Sequence, residues 1–166
     1  MQLADLNRMD RDAFVATLGG IFEHSPWVAK RSFDDRPFAS IGALHAAMVA
    51  AMMRALASEQ LTLLNAHPEL AGKARGQLTA DSAREQASAG LDGYSASELD
   101  RINELNERYG EKFGFPFIIA VKGRDRHGIL AEFARRVEQD RATEFAEALR
   151  QVAAIARFRL EALIDR

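Results

Sequence analysis

The chain has 166 residues, of which 48% are apolar and 28% charged, the profile of a soluble globular protein of about one domain's size. Lys and Arg number 22 against 24 for Asp and Glu, so the basic excess of a nucleic-acid binder is missing. With no cysteine in the sequence, disulfides, thiolate catalysis and cysteine-based metal sites are excluded. The opening residues, Met1-Gln2-Leu3-Ala4-Asp5, lack a signal-peptide pattern. No apolar run reaches the roughly 18 residues that span a bilayer, since even 41–57 carries His45 and Arg54. These features predict a cytoplasmic protein that binds neither membrane nor nucleic acid.

Asp10 is a good N-cap for a first helix that carries Ala13, Phe14, Ala16, Thr17 and Leu18 and stops at Gly19-Gly20. Ser25-Pro26-Trp27 starts another over about 26–33, with proline at its first helical position, and Arg36-Pro37-Phe38 breaks it. Ser40 opens the longest apolar pattern, Ile41 to Leu56, where alanine and methionine favour helix over strand. Ser58 begins a short helix that runs into His67. Gly72 to Thr79 is polar and glycine-containing and reads as a loop. A helix restarts at Ser82-Ala83-Arg84-Glu85-Gln86 and ends near Gly90; taken alone, Ser82-x-x-Glu85 fits a capping box.

Ser95-x-x-Glu98 is a second capping box, ahead of a helix with Leu99, Ile102, Leu105, Tyr109 and Phe113 on one face and Gly114 at its end. Phe115 to Val121 is the sole β-branched run, followed by the turn-like Lys122-Gly123-Arg124-Asp125. One run cannot make a sheet, so a buried extended segment is expected there. Amphipathic helices over 128–140 and 143–164 complete the chain. The expected fold is all-α: a single-domain multi-helix bundle with one short buried extended segment.

Four stretches carry possible chemistry. Proline pushes the residue before it out of the α region, so His67 in His67-Pro68 sits at a chain break, where an imidazole can exchange protons near neutral pH. The second stretch is Ser82 to Gln86. The third is Phe117, Ile118, Ile119, Ala120 and Val121, whose backbone groups, outside a ladder, could bind a small polar ligand. The fourth is the pair Arg157 and Arg159 on an otherwise apolar helix face, for which snorkelling to water is the default reading. His24 and His127 are scattered, and His45 reads as a satisfied core histidine. No H-E-x-x-H motif or glycine-rich phosphate loop occurs.

Taken together, the chain resembles the 2-oxo-4-hydroxy-4-carboxy-5-ureidoimidazoline (OHCU) decarboxylase family of urate degradation. The resemblance runs from about residue 5 to 164. It rests on Ser25-Pro26-Trp27-Val28-Ala29, Arg36-Pro37-Phe38 and Ala66-His67-Pro68-Glu69-Leu70-Ala71. Further matches are Leu78-Thr79, Ser82-x-x-Glu85-Gln86, Ala89-Gly90-Leu91, Asn106-x-x-Tyr109-x-x-Lys112-Phe113-Gly114-Phe115-Pro116-Phe117, and Ile155-x-x-x-Arg159-Leu160. It implies an all-helical fold, a homodimer and cofactor-independent decarboxylation of OHCU to (S)-allantoin. It further implies His67 as proton donor, with Glu85 and Arg159 as its catalytic companions. Pro68, Ser82, Ala83, Arg84, Glu85, Gln86 and Phe117 to Val121 are then expected to line the substrate pocket, with no metal ligand. Arg159, rather than Arg157, falls on the arginine of the family's Arg-Leu pair. Two other readings compete: a related enzyme acting on another ureido or purine-derived compound through His67 and Glu85, and a non-catalytic all-α interaction module.

Overall fold

The computed structural model describes residues 1–71, 79–88 and 90–165. Among them are nine α-helices and two short 3-10 turns, and no strand. The chain divides into two compact units, Met1–Ala66 with Val152–Arg166, and His67–Gln151.

The first unit holds α1 (Leu3–Arg8), α2 (Arg11–Leu18), α3 (Trp27–Ser32), α4 (Ile41–Met53), α5 (Ala57–Asn65) and the second half of α9 (Arg141–Leu163). Asp10 and Ser40 cap α2 and α4 as their side chains predict, accepting from the N–H groups of Ala13 and Ala43. Three boundaries differ from expectation. Pro26 is the N-cap of α3 and not its first helical residue. Helix α4 stops at Met53, short of Leu56, because the Gln60 amide donates to the carbonyls of Met52 and Met53. Helix α5 starts at Ala57, one residue before Ser58, because the Glu59 carboxylate accepts the Leu56 N–H at 2.9 Å. This is half of a capping box, since leucine offers no acceptor in return. Helix α1 was not foreseen in the sequence. Arg36 explains the Arg36-Pro37-Phe38 break: its guanidinium lies 3.5 Å from the Phe33 ring centre and donates to the carbonyls of Asn7 and Met9. The core gathers Leu6, Phe14, Leu18, Val28, Leu44, Met48, Leu64 and Leu160, each fully buried.

The second unit holds α6 (Ala80–Ser88), α7 (Ala96–Phe113), α8 (Arg126–Arg136) and the first half of α9. The Ser95/Glu98 capping box forms as read, with both reciprocal bonds present. Gly114 adopts φ 77°, a left-handed conformation that glycine takes without a Cβ penalty, and turns the chain out of α7. Helices α8 and α9 each start two residues earlier than the apolar pattern suggests, because Asp125 and Asp140 accept from the N–H groups of Gly128 and Thr143. Tyr109 centres an aromatic cluster of Phe113, Phe115, Phe117 and Phe133, at ring separations of 4.4 to 5.9 Å. Phe117 to Val121 is buried and forms no ladder, as expected. The loop expected over Gly72–Thr79 lies, save for Thr79, outside the described residues.

Candidate active site

The Ala66 N–H closes α5 by donating back to the carbonyls of Thr62 and Leu63. His67 follows, ahead of Pro68, at the chain break its sequence predicts. It is 8% exposed, so the ring is buried at the end of a helix and not displayed on the surface. Two side chains fasten the residues that come next. The Asn106 amide of α7 donates to the Leu70 carbonyl at 3.0 Å, and Ala71, at φ 45°, donates its N–H to Gln86 Oε1 at 3.3 Å.

Gln86 belongs to the second candidate stretch, whose role in the helix differs from the capping box considered for it. Helix α6 begins at Ala80, and Thr79 caps it, its hydroxyl accepting the Ser82 N–H at 3.2 Å. Ser82 is therefore inside the first turn, and Glu85 lies too far along the helix to reach an N-cap. Ser82, Glu85 and Gln86 are spaced i, i+3, i+4 and share one face; Ser82 is buried, Glu85 and Gln86 half-buried. Ala83 and Arg84 are exposed, and Arg84 pairs with Asp81.

The Phe117–Val121 segment is held from outside at alternate residues. Arg136 Nη1 donates to the Ile118 carbonyl at 2.7 Å, and the Ala120 N–H donates to Gln151 Oε1 at 2.9 Å. Between them, neither the N–H nor the C=O of Ile119 meets a partner among the described residues, although Ile119 is 6% exposed. Arg136 itself is fully buried, paired with the equally buried Glu144, which also accepts from the Tyr109 hydroxyl at 3.1 Å. Burial and the Glu144 charge push the Tyr109 phenol far above its ordinary pKa, so it stays a donor.

The two arginines of α9 part company. Arg157 is partly exposed and pairs with Glu161 one turn on, as the snorkelling reading expects. It borders an open cavity of 520 Å³ with Ser40, Gly42 and Glu161, which holds none of the expected site residues. Arg159 is 7% exposed, and its Nη1 donates to Glu23 Oε2 at 2.8 Å and to the Gly20 carbonyl at 3.3 Å. Snorkelling fails for Arg159: it is a buried cation matched to a buried anion, Glu23 being 1% exposed. The remaining histidines are peripheral: His45 Nε2 meets the Ala153 carbonyl at 2.7 Å, and His24 and His127 are exposed. Among the described residues no three His, Asp or Glu side chains are grouped to hold a metal ion.

The family model for OHCU decarboxylase matches residues 7–161. The chain belongs to the OHCU decarboxylase family. It is a decarboxylase, hence a lyase. It is 46% identical over 160 residues to the 2-oxo-4-hydroxy-4-carboxy-5-ureidoimidazoline decarboxylase of Haloferax volcanii, covering 96% of this chain and 94% of that one. It is 44% identical to the uric acid degradation bifunctional protein PucL of Bacillus subtilis, of which it spans 32%. Among solved structures it is similar to (S)-allantoin synthase, with TM-score 0.82, 34% identity and coverage of 99% of this chain and 55% of that one. It is also similar to an OHCU decarboxylase crystallised in the presence of (S)-allantoin, with TM-score 0.70 and 26% identity over 92% of this chain and 96% of that one. The family's all-helical architecture is the one found here. Glu23, Arg136 and Gln151 carry no local signal in the sequence. Asn106 carries two, its place in the matched Asn106-x-x-Tyr109 motif and its polarity on the apolar stripe of α7, though no role was assigned to it.

Proposed function

We propose that this decarboxylase acts on 2-oxo-4-hydroxy-4-carboxy-5-ureidoimidazoline, releasing CO2 and leaving (S)-allantoin through stereospecific protonation by His67. The observation that carries the assignment is a buried histidine at a chain break, heading a segment fastened to Gln86 of the Ser82/Glu85/Gln86 face. A buried, held imidazole can deliver a proton to one face of a ring, which a mobile surface histidine cannot do.

The substrate carries its own electron sink. When the C–CO2 bond breaks, its electron pair moves into the adjacent ring C=N, whose nitrogen takes up a proton. The enol so formed gains a proton at the ureido-bearing carbon and loses one from its hydroxyl, which becomes the allantoin carbonyl. The net change is one proton consumed for each CO2 released, so the reaction as written requires no added cofactor. His67 supplies the proton that fixes the new stereocentre. Glu85 hydrogen-bonds the substrate hydroxyl or a ring N–H and helps set the protonation state of His67. Ser82, Gln86, Pro68 and the backbone of Phe117 to Val121 hold the ureido and ring amide groups; the N–H and C=O of Ile119, which meet no partner among the described residues, suit an amide-like ligand. Ala83 and Arg84, being exposed, contribute through the helix backbone. Arg159 binds a ring or ureido carbonyl, where charge builds as CO2 leaves. Clamping the carboxylate instead would stabilise the ground state and slow the step. The working form in this reading is a cytoplasmic homodimer, whose mass in solution sedimentation tests.

The deciding experiment follows circular dichroism while OHCU is generated in situ from urate. Spontaneous decay ends in racemic allantoin, so a fast, lasting signal of one sign that disappears in His67→Ala is the expected result. Decay at the spontaneous rate with no final optical activity would overturn the reading.

A further inference from the structure

We propose that Asn106 is a positioning residue for proton delivery, acting through the His67–Ala71 segment; the inference rests on the reading of His67 as the proton donor. Helix α7 buries Ile102, Leu105, Tyr109 and Phe113, and Asn106 lies on that same face, four residues after Ile102 and three before Tyr109. A polar side chain at such a position, 7% exposed, costs stability unless it is hydrogen-bonded. Asn106 uses only half of its amide for that purpose. Its Nδ2 donates to the Leu70 carbonyl, three residues beyond His67, while Oδ1 is buried and meets no partner among the described residues. Buried amides in native proteins are nearly always satisfied at both ends, and departures from that rule concentrate where function needs them.

What the donor half achieves is set by the segment it grips. Pro68 fixes its own φ, which stiffens the chain directly after His67. The Gln86 amide accepts the Ala71 N–H, in a left-handed conformation that an alanine takes only when held there. Asn106 closes the set at Leu70, whose side chain is also buried. One proline and two amides from separate helices thus leave the backbone carrying His67 little freedom. Protonating a single face of a planar centre demands that restraint, because a displacement of about 1 Å in a catalytic group can cost roughly a hundredfold in rate.

Two substitutions test this. Asn106→Leu keeps the branched skeleton, with bulkier methyl groups, and removes both the donor and the acceptor; Asn106→Asp keeps the shape and sets an acceptor against the Leu70 carbonyl. Both are expected to lower kcat by about 10- to 100-fold, with KM moving by less than about threefold. Both also lower the optical purity of the allantoin formed, a readout that a merely structural role does not move. Wild-type kcat and optical purity in a folded Asn106→Leu protein overturn the proposal. Asn106→Ser, smaller and unable to clash, takes its place should the leucine variant not fold. The His67 titration midpoint and the amide exchange of Leu70 and Ala71, followed by NMR, read the same restraint without turnover. A shifted midpoint and faster exchange in the variant support the proposal, and unchanged values overturn it. Should the wild type itself prove inactive on OHCU, the reading of function fails while these two NMR quantities still judge the restraint.

Discussion

Arg136 donates to the backbone carbonyl of Ile118 at 2.7 Å while its other side is paired with Glu144, both side chains being fully inaccessible to water. The guanidinium also lies 4.4 Å from the Phe117 ring centre, so one buried cation braces two neighbouring residues of the ladderless segment. A buried pair of this kind adds little net stability over an apolar substitute, yet breaking it strands a charge. Arg136→Met is therefore expected to cost about 3–5 kcal/mol in urea unfolding. Adding Glu144→Gln removes the stranded anion, keeps an acceptor for Tyr109 and recovers much of that loss. The double variant should nevertheless turn over more slowly than wild type, because the Ile118 carbonyl has lost its brace. Recovery of both stability and turnover would confine Arg136 to a packing role.

Thr79 and Ser82 separate two accounts of how α6 begins. With Thr79 as the cap, Thr79→Ala should lower stability by about 1 kcal/mol, the usual cost of a lost N-cap. Glu85→Gln, which no longer counts as part of a capping box and keeps the shape of the side chain, should cut turnover by more than any stability it costs, as the proposed role of Glu85 requires. Thermal unfolding of the two variants beside their kcat values makes the comparison. A large loss of stability in Glu85→Gln with normal turnover would return that residue to a structural role.

The contrast between these helices shows what the sequence makes legible. Ser95 and Glu98 meet each other across one turn, so their pairing could be read directly, and so could the Asp10 and Ser40 caps. The same S-x-x-E spacing at Ser82 was misleading because Thr79, three residues upstream, reaches the first turn before it. Helix α1 escaped notice because its six residues bury only Leu6 and its N-cap, Gln2, makes no side-chain capping bond, its amide donating to Asp165 instead. His67 stood out because a His-Pro junction is a local signal, whereas Ser82, Glu85 and Gln86 entered the expected site through the family resemblance. Glu23 with Arg159, 136 residues apart, and Arg136 with Ile118, 18 apart, are tertiary pairings that no local period announces.

Stability should fall at both ends of the pH scale. Burial and nearby Glu98 push the Tyr94 phenol up to about 12, and Tyr109 is raised further. Both hold their protons in the folded chain above the pH of about 10 where unfolded tyrosine loses its own. Their contribution is therefore complete below about pH 10 and is lost as pH rises towards the folded values. At the acid end, Glu59 is held low by Arg31 and the Leu56 N–H, Glu138 by Arg108, and Asp140 by the Thr143 N–H and hydroxyl. Their contribution is present above the ordinary carboxylate range of about 4 and disappears as pH falls through the lower folded values. Melting temperature measured across pH should show a plateau bounded by these two declines. Tyrosinate absorbance of the two tyrosines should rise only together with unfolding. Normal titration near pH 10 in the folded state would contradict the burial of both rings.

Arg159 and Glu23 offer the remaining test, since a buried pair can serve stability, catalysis or both. Glu23→Ala leaves the guanidinium charge without its anion and should destabilise by about 3–5 kcal/mol. Glu23→Gln keeps an oxygen facing Nη1, so its cost should be smaller. Arg159→Lys keeps the positive charge but replaces a planar fork of five donors by a compact ammonium. It cannot satisfy the Glu23 carboxylate and the Gly20 carbonyl from the same geometry while presenting donors to a ligand. If Arg159 acts as proposed, on charge that develops as CO2 departs, turnover in Arg159→Lys falls further than its stability, and kcat further than 1/KM. Should kcat survive the lysine substitution while stability drops, Arg159 leaves the mechanism and the pair becomes part of the core alone. Should KM rise with kcat unchanged, the arginine binds substrate and transition state equally, and the charge stabilisation must come from another group.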